Sequence, residues 1–481
     1  MSAPPANLPG AQPALPLVER LPDGLSSVDA FMRLAEQPHV LFFDSAAVDP
    51  HLGRYSFVLA DPWTWIERGA DAADPLGEAE RLWKKFRGLT VTRPDLPPFQ
   101  GGVAGLFSYD LARTLERVPA ARYDDLPVPA LAVGAYDVVL AFDHIEHRGW
   151  IISQGLPETD HAARAERAAA RLAHFRHMLA TPAAACGLAV RGVIVKPQAA
   201  SVAPRYPLPI AGVTSNLSAD GYRDMVRRGV EYVRAGDVFQ VNLAQRLLCP
   251  ATAPSLDLYL RLRERNPAPY AGYLNLGTSQ LCSASPECFL TVRGGRVETR
   301  PIKGTRGRSL RPEADLFVGD ELEASEKDRA ENVMIVDLMR NDLSRVCTAD
   351  SVHVAQLCRL ETYAFVKHLV SVVRGDLKPG STPMDLLRAS FPGGSITGAP
   401  KVRAMEIIAE LEPTARGAYC GSLGYVGFDG KMDANILIRT ITASGGWWQI
   451  PVGGGIVAQS DPDDEYRETW HKARGMLKAV L

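Results

Sequence analysis

Long apolar runs are missing from this 481-residue chain. None reaches the ~20 residues that a membrane-spanning helix needs, so no membrane protein is expected. The N-terminus lacks a basic stretch followed by an apolar core, which argues against a secretory leader. A charge excess is missing too. The formal net charge is −2, which leaves no basic field for nucleic acid or an anionic membrane surface. Cysteine is scarce, with 7 residues at positions 186, 249, 282, 288, 347, 358 and 420 and no CxxC pair. That pattern excludes a disulfide scaffold and a zinc site and fits reduced thiols in the cytoplasm. Repeats at solenoid spacing and low-complexity tracts are also absent. What remains is 46% hydrophobic and 22% charged, an ordinary globular balance on a chain long enough for a large core.

Four segments are expected. Residues 1–16, rich in Pro and Ala, read as a disordered tail. Residues 17–195 form an N-terminal half with short strands at 39–44 and 55–60 and an Ala/Arg-rich scaffold helix at 161–179. The proline-bearing stretch 196–214 is a connection. Residues 215–481 form the second half. It opens with a helix that Ser218 caps, Tyr222, Met225, Val226, Gly229, Val230 and Val233 pack, and Gly236 stops. A strand over 238–248 follows. It turns Phe239, Val241 and Leu243 to one side and Gln240, Asn242 and Ala244 to the other. Its polar row is either an edge facing water or the wall of a site.

Several segments of the second half carry chemistry. Glu331 falls among Ala330, Met334, Ile335 and Leu338. A carboxylate in such a stripe needs a metal or an ion pair, for example to Arg340 or Arg345, because an isolated buried charge is costly. Ser325 and Asp328 have capping-box spacing. In the last helix Tyr466, Trp470, Ala473 and Leu477 make a core stripe, and Glu465, Glu468 and Lys472 share another face. Phe391–Lys401 is a Gly-rich turn opening a helix over 402–411, and its N–H groups can hold an anion. It is not a phosphate-loop sequence. Arg439 ends an apolar strand and can clamp a carboxylate. Gly453, Gly454 and Gly455 either expose N–H groups or make a flexible hairpin. Residues 301–305 read Pro-Ile-Lys-Gly-Thr after an alternating strand pair, with Gly304-Thr305 as a turn.

Together, Val238–Leu243, Ser285-Pro-Glu287, Pro301–Thr305, Lys327–Asp342, Pro392–Lys401, Arg416–Gly421, Ile436–Arg439, Gly453–Gly455 and Asp464–Glu468 resemble the chorismate-utilising enzymes, and within them the aminodeoxychorismate synthase component I branch. The match is strong over 215–481. It is weaker before that, through Asp44-Ser45, Gly101–Gly105, Tyr109-Asp110 and Arg113. The resemblance implies an α+β fold of two interleaved halves, each giving a large antiparallel sheet, packed as a sandwich with helices outside. It implies conversion of chorismate and ammonia to 4-amino-4-deoxychorismate, on the way to p-aminobenzoate and folate. Lys303 would be the covalent nucleophile and Glu287 the general acid and base. Glu331 and Glu468 would hold Mg²⁺, which prefers oxygen ligands. Gln240, Gly304, Thr305, His368, Thr397, Tyr419, Arg439, Gly453, Gly454, Gly455 and Lys472 are the implied substrate contacts. Ammonia would come from a separate glutamine amidotransferase subunit, and no lyase domain is expected at the C-terminus.

Relatives of the anthranilate synthase type carry Ala at position 303. Isochorismate and salicylate synthases place a water-activating Lys where this chain has Gln240. A non-catalytic aromatic-amino-acid sensor would be expected to have lost the acidic and basic site residues, which are all present here. The resemblance also marks a candidate site for free tryptophan at Asp44, Ser45, Arg54, Tyr55, Pro269 and Tyr270. The same residues can equally serve only to pack the junction between halves. Phe43-Asp44-Ser45 departs from the Leu-Glu-Ser pattern of feedback-inhibited relatives.

Overall fold

The computed structural model describes residues 15–49, 52–180, 203–308, 312–362 and 366–481. The expected tail therefore lies outside the described residues except for 15–16, as do 196–202 of the connection. Two antiparallel sheets organise the rest, one of 13 strands and one of 10. The halves interleave in both. Leu41–Asp44 pairs with Tyr270–Asn275 in the larger sheet, setting Phe43 opposite Gly272. Gly102–Phe107 pairs with Ser422–Gly427 in the smaller, setting Gly105 opposite Gly424. Apolar side chains of both sheets, including Leu41, Phe57, Leu281, Leu106, Leu423 and Tyr425, form one buried cluster between them. Helices cover the outer faces through two further clusters. This is the expected sandwich, and burial of apolar surface on both faces of each sheet is its main driving force.

Local chemistry explains the elements that position the site. The helix Ala219–Ala235 has Ser218 as N-cap, whose hydroxyl accepts from the Gly221 N–H, and ends at left-handed Gly236. The next strand is Gln240–Pro250. It starts later than the sequence pattern predicts, because Phe239 lies outside the sheet and is 71% exposed. Its polar row does not face water. The strand is flanked by Trp447–Ile456 and, on its other side, by Gly398–Ala399 and Thr214–Ser215.

A buried ion pair locks this strand to the Gly-rich segment. Arg416 bonds Glu412 through Nε at 2.9 Å and Nη2 at 2.6 Å, and also donates to the carbonyls of Ile396 and Asn242. Both side chains are almost fully buried. Removing one partner of such a pair strands the other charge. Arg416→Met is expected to lower unfolding free energy by about 3–5 kcal/mol, read as a shifted denaturation midpoint at unchanged slope. An unshifted midpoint would show that Glu412 finds another partner.

Candidate active site

A cavity of about 1000 Å³ opens where the two sheets meet the helices Glu326–Ser344 and Pro462–Val480. Lys303 reaches it from the strand Ile302–Gly307. The Gly304-Thr305 pair is not a turn as the sequence suggested. It is a bulge in a continuous strand: Lys303 pairs with Leu369 and Thr305 with His368, leaving Gly304 extra. Gly304 has φ +72, and a Cβ there would lie 2.7 Å from Leu322, so glycine is required. The Thr305 side chain lies outside the described residues.

Lys303 Nζ stands 3.8 Å from Glu331 Oε2, and both side chains are about one-seventh exposed. Burial lowers the Lys303 pKa; Glu331 opposes the shift and Lys472 adds to it. Burial raises Glu331, against the pull of Lys303 and Lys327. Its partner is thus neither Arg340, which pairs with Asp337, nor Arg345, which donates to the Ala389 carbonyl. The expected stripe is also rotated. Asn332, Ile335, Val336 and Met339 form the buried face, whereas Ala330 is exposed.

Glu287 is 5% exposed, and burial pushes its pKa up to about 7, against a hydrogen bond from Ser395 and the charge of Lys303. Ser395 Oγ donates to Glu287 Oε1 at 2.7 Å. Sequence reasoning did not single out Ser395, although its Gly-rich segment was marked. His368 is buried, which pushes its pKa down to about 4 and keeps it neutral. Tyr419 and Arg439 also line the cavity. Arg439 does not end a strand: Ile436–Arg439 is the irregular crossover from Met432–Asn435 to Thr440–Ser444. Its φ is +53, an unfavourable conformation of the kind found at functional sites. Among the described residues its guanidinium has no hydrogen-bonded acceptor.

Gly453–Gly455 is not a hairpin. It lies within Trp447–Ile456, with Gly455 opposite Asn242 and Gly453 opposite Ala244. Pairing on the other edge stops at Gln449, so that edge of the glycine run faces the cavity. Lys472 Nζ donates to the Gly453 carbonyl at 2.8 Å and pairs with Glu468 Oε1 at 2.7 Å. Burial would raise Glu468, but Lys472, Lys327 and Lys303 hold its pKa below the ordinary value. A Cβ on Gly454 would meet Glu465 Oε2 at 3.1 Å and Glu468 Oε1 at 3.6 Å. Only glycine leaves that cradle open. Glu465 is 4% exposed and accepts from Ser460.

No group of three or more His, Cys, Asp or Glu converges on one point among the described residues. Mg²⁺ does not need one, since it keeps several waters and binds through one or two carboxylates. Glu331 and Glu468 both line the cavity, two carboxylates of the kind such an ion uses.

Three implied contacts, Gln240, Thr397 and Gly454, are not among the residues that line the cavity. Gln240 is fully buried with both amide atoms unpartnered, packed over Gly455. Thr397 is fully buried, and its hydroxyl donates to the Gly393 carbonyl.

The residues marked for tryptophan gather elsewhere. Asp44, Ser45, Arg54, Tyr55, Pro269 and Tyr270 line a second cavity of about 680 Å³ between the sheets. The Asp44 carboxylate there already accepts from Tyr259 at 2.8 Å and Arg263 at 2.6 Å. Arg54 is paired with Asp143.

No helix among the described residues is long and apolar enough to cross a membrane. The model of the chorismate binding enzyme family matches residues 51–478. Anthranilate synthase component 1 of Thermus thermophilus is 40% identical over 474 residues, 96% of each chain. Aminodeoxychorismate synthase component 1 of Escherichia coli is 38% identical over 464 residues, covering 94% of this chain and 95% of that one. A crystal structure of anthranilate synthase component I from Streptococcus pneumoniae superposes with a TM-score of 0.73 at 30% identity, covering 95% of this chain and 99% of that one. The sandwich, the cavity with its paired Lys303 and Glu331, and these similarities over nearly the whole length agree: the chain belongs to the chorismate binding enzyme family.

Proposed function

We propose that this protein is the component I of an aminodeoxychorismate synthase, and that Lys303 is its nucleophile. The observation that carries the reading is a buried, pKa-lowered amine beside Glu287 in the large cavity. A neutral amine is a nucleophile; an ammonium is not. The Lys303 Nζ bonds to C2 of chorismate as the C4 hydroxyl departs, taking a proton from Glu287 and leaving as water. Ammonia then bonds to C4, the C2–N bond breaks, and the Glu287 carboxylate takes the spare proton. Arg439 and the open edge at Gly453 and Gly455 hold the two carboxylates, and neutral His368 and Tyr419 wall the ring. Glu331 and Glu468 would hold Mg²⁺, which supplies charge neutralisation at the ring carboxylate. A separate glutamine amidotransferase subunit supplies ammonia, and the product feeds p-aminobenzoate formation.

The runner-up is an anthranilate synthase component I, favoured by the 40% identity to such enzymes. Product analysis with chorismate, Mg²⁺ and an ammonium salt separates the two: 4-amino-4-deoxychorismate is expected, and anthranilate alone would overturn the reading. The pH profile follows from the same groups. Glu287 must start protonated, and its pKa is raised to about 7. Turnover is therefore expected to fall as pH rises through that value, and Glu287→Gln should lose about 100-fold or more at all pH values.

The cavity between the sheets is assigned to a free aromatic amino acid, tryptophan first. Because Arg263 and Tyr259 occupy Asp44, a ligand ammonium is left to backbone carbonyls, and binding without feedback inhibition is expected. Calorimetry and a check for ligand retained through denaturation test this. No heat, no retained tryptophan and no thermal shift at millimolar concentration would dispose of it.

A further inference from the structure

The strand Gln240–Pro250 carries a polar group that no role yet accounts for. Asn242 is 7% exposed, lines the large cavity, and its Nδ2 has no hydrogen-bond partner. An unsatisfied buried donor costs about 1–3 kcal/mol, so a fold does not keep one without a reason. The residue cannot turn away. Its N–H donates to the Thr397 carbonyl at 2.7 Å, and its carbonyl accepts from Arg416 at 2.7 Å. The same Arg416 holds the Ile396 carbonyl, next to Ser395, whose hydroxyl is bonded to Glu287. Asn242 is thereby fixed on the Glu287 side of the cavity. The opposite strand offers it Gly455, which has no side chain to satisfy or cover the amide.

We propose that Asn242 is a catalytic contact whose Nδ2–H donates to the C4 oxygen of the substrate, the atom that Glu287 protonates. This rests on the chorismate-amination reading and on the assignment of Glu287 to that oxygen. Two cations of the cavity are already paired: Lys303 faces Glu331, and Lys472 is taken by Glu468 and Gly453; Arg439 is assigned to a substrate carboxylate. A neutral amide suits a neutral hydroxyl becoming water. It stabilises charge that builds on the departing oxygen and neither competes for Glu287's proton nor binds a carboxylate strongly.

The test uses the full chain with chorismate, Mg²⁺ and ammonium, following chorismate consumption and product identity separately. Asn242→Leu fills the space without a donor, and Asn242→Asp keeps the shape without one. Both are expected to lower kcat by about 10- to 100-fold, with KM within about threefold because the contact strengthens as the oxygen departs. Thermal unfolding gives the second readout. Because Nδ2 has no partner in the free protein, Asn242→Leu should melt at or above the parent temperature. Consumption within about twofold of the parent overturns the proposal, and so does a loss of activity matched by a lower melting temperature. Formation of anthranilate by the parent would sink the aminodeoxychorismate reading alone. The C4 hydroxyl leaves in that reaction too, so the Asn242 variants would still decide this point.

Discussion

Lys303→Ala is expected to form no 4-amino-4-deoxychorismate, a loss on the order of a hundredfold or more. Residual turnover should shift towards anthranilate, because ammonia can then attack C2 directly. The parent enzyme, denatured during turnover, should show a mass increase on the peptide bearing Lys303, and the variant should not. The geometry supports this in three ways. The side chain is only 13% exposed, and burial lowers its pKa. The Gly304 bulge pins its strand beside Glu331 and Glu287. The Glu331 contact at 3.8 Å is too long for a hydrogen bond, so the amine can leave it for a substrate carbon at little cost. Glu331 loses its partner in the variant, but its pKa is already raised by burial, so it can take up a proton and the fold should persist. Lys303→Gln serves as the second variant, keeping a polar side chain there. Undiminished aminodeoxychorismate formation by the alanine variant would sink the nucleophile assignment.

Chelator in excess over divalent metal is expected to stop turnover entirely. Glu331→Gln and Glu468→Gln are each expected to lose about 100-fold or more at limiting Mg²⁺. Added Mg²⁺ should recover part of the loss, since one remaining carboxylate still holds the ion weakly. The two variants should differ in one respect. Glu468→Gln also frees Lys472 from its 2.7 Å pair, leaving that lysine to the Gly453 carbonyl alone. Chorismate affinity without metal should therefore rise more in Glu468→Gln, which frees an amine paired at 2.7 Å to face a dianionic substrate, than in Glu331→Gln, whose Lys303 contact is 3.8 Å. Binding titrations in chelator read this out. Full activity in excess chelator would remove the metal from the mechanism.

Motif order and residue type were legible along the chain. Ser218 and Gly236 bracketed their helix correctly because caps are local: one side chain, one backbone conformation. Glu287, Lys303, Glu331, Arg439 and Glu468 were marked from their motifs, and they all line one cavity. Their mutual placement was not legible. Residues 287, 331, 439 and 468 meet only because helices and inter-strand segments from distant parts of the chain pack together on the two sheets. Local patterns misled where long-range pairing overrode them. Gly453–Gly455 reads as a loop in isolation, but ten consecutive pairings with Val241–Pro250 make it strand. Gly304 reads as a turn, but pairing with Val366–Asp376 on both sides makes it a bulge. Phe239 fits the alternation of its strand, yet the sheet begins one residue later and leaves it in water. The sequence by itself determined the family and the fold class and pointed to residues that share one cavity, because these depend on identity and order. Only the tertiary structure decided which carboxylate faces which cation, which amide is left without a partner, and in which direction Glu287 and Lys303 are moved from their ordinary pKa values. Burial and charge proximity are properties of positions in space, and residues hundreds of positions apart set them together.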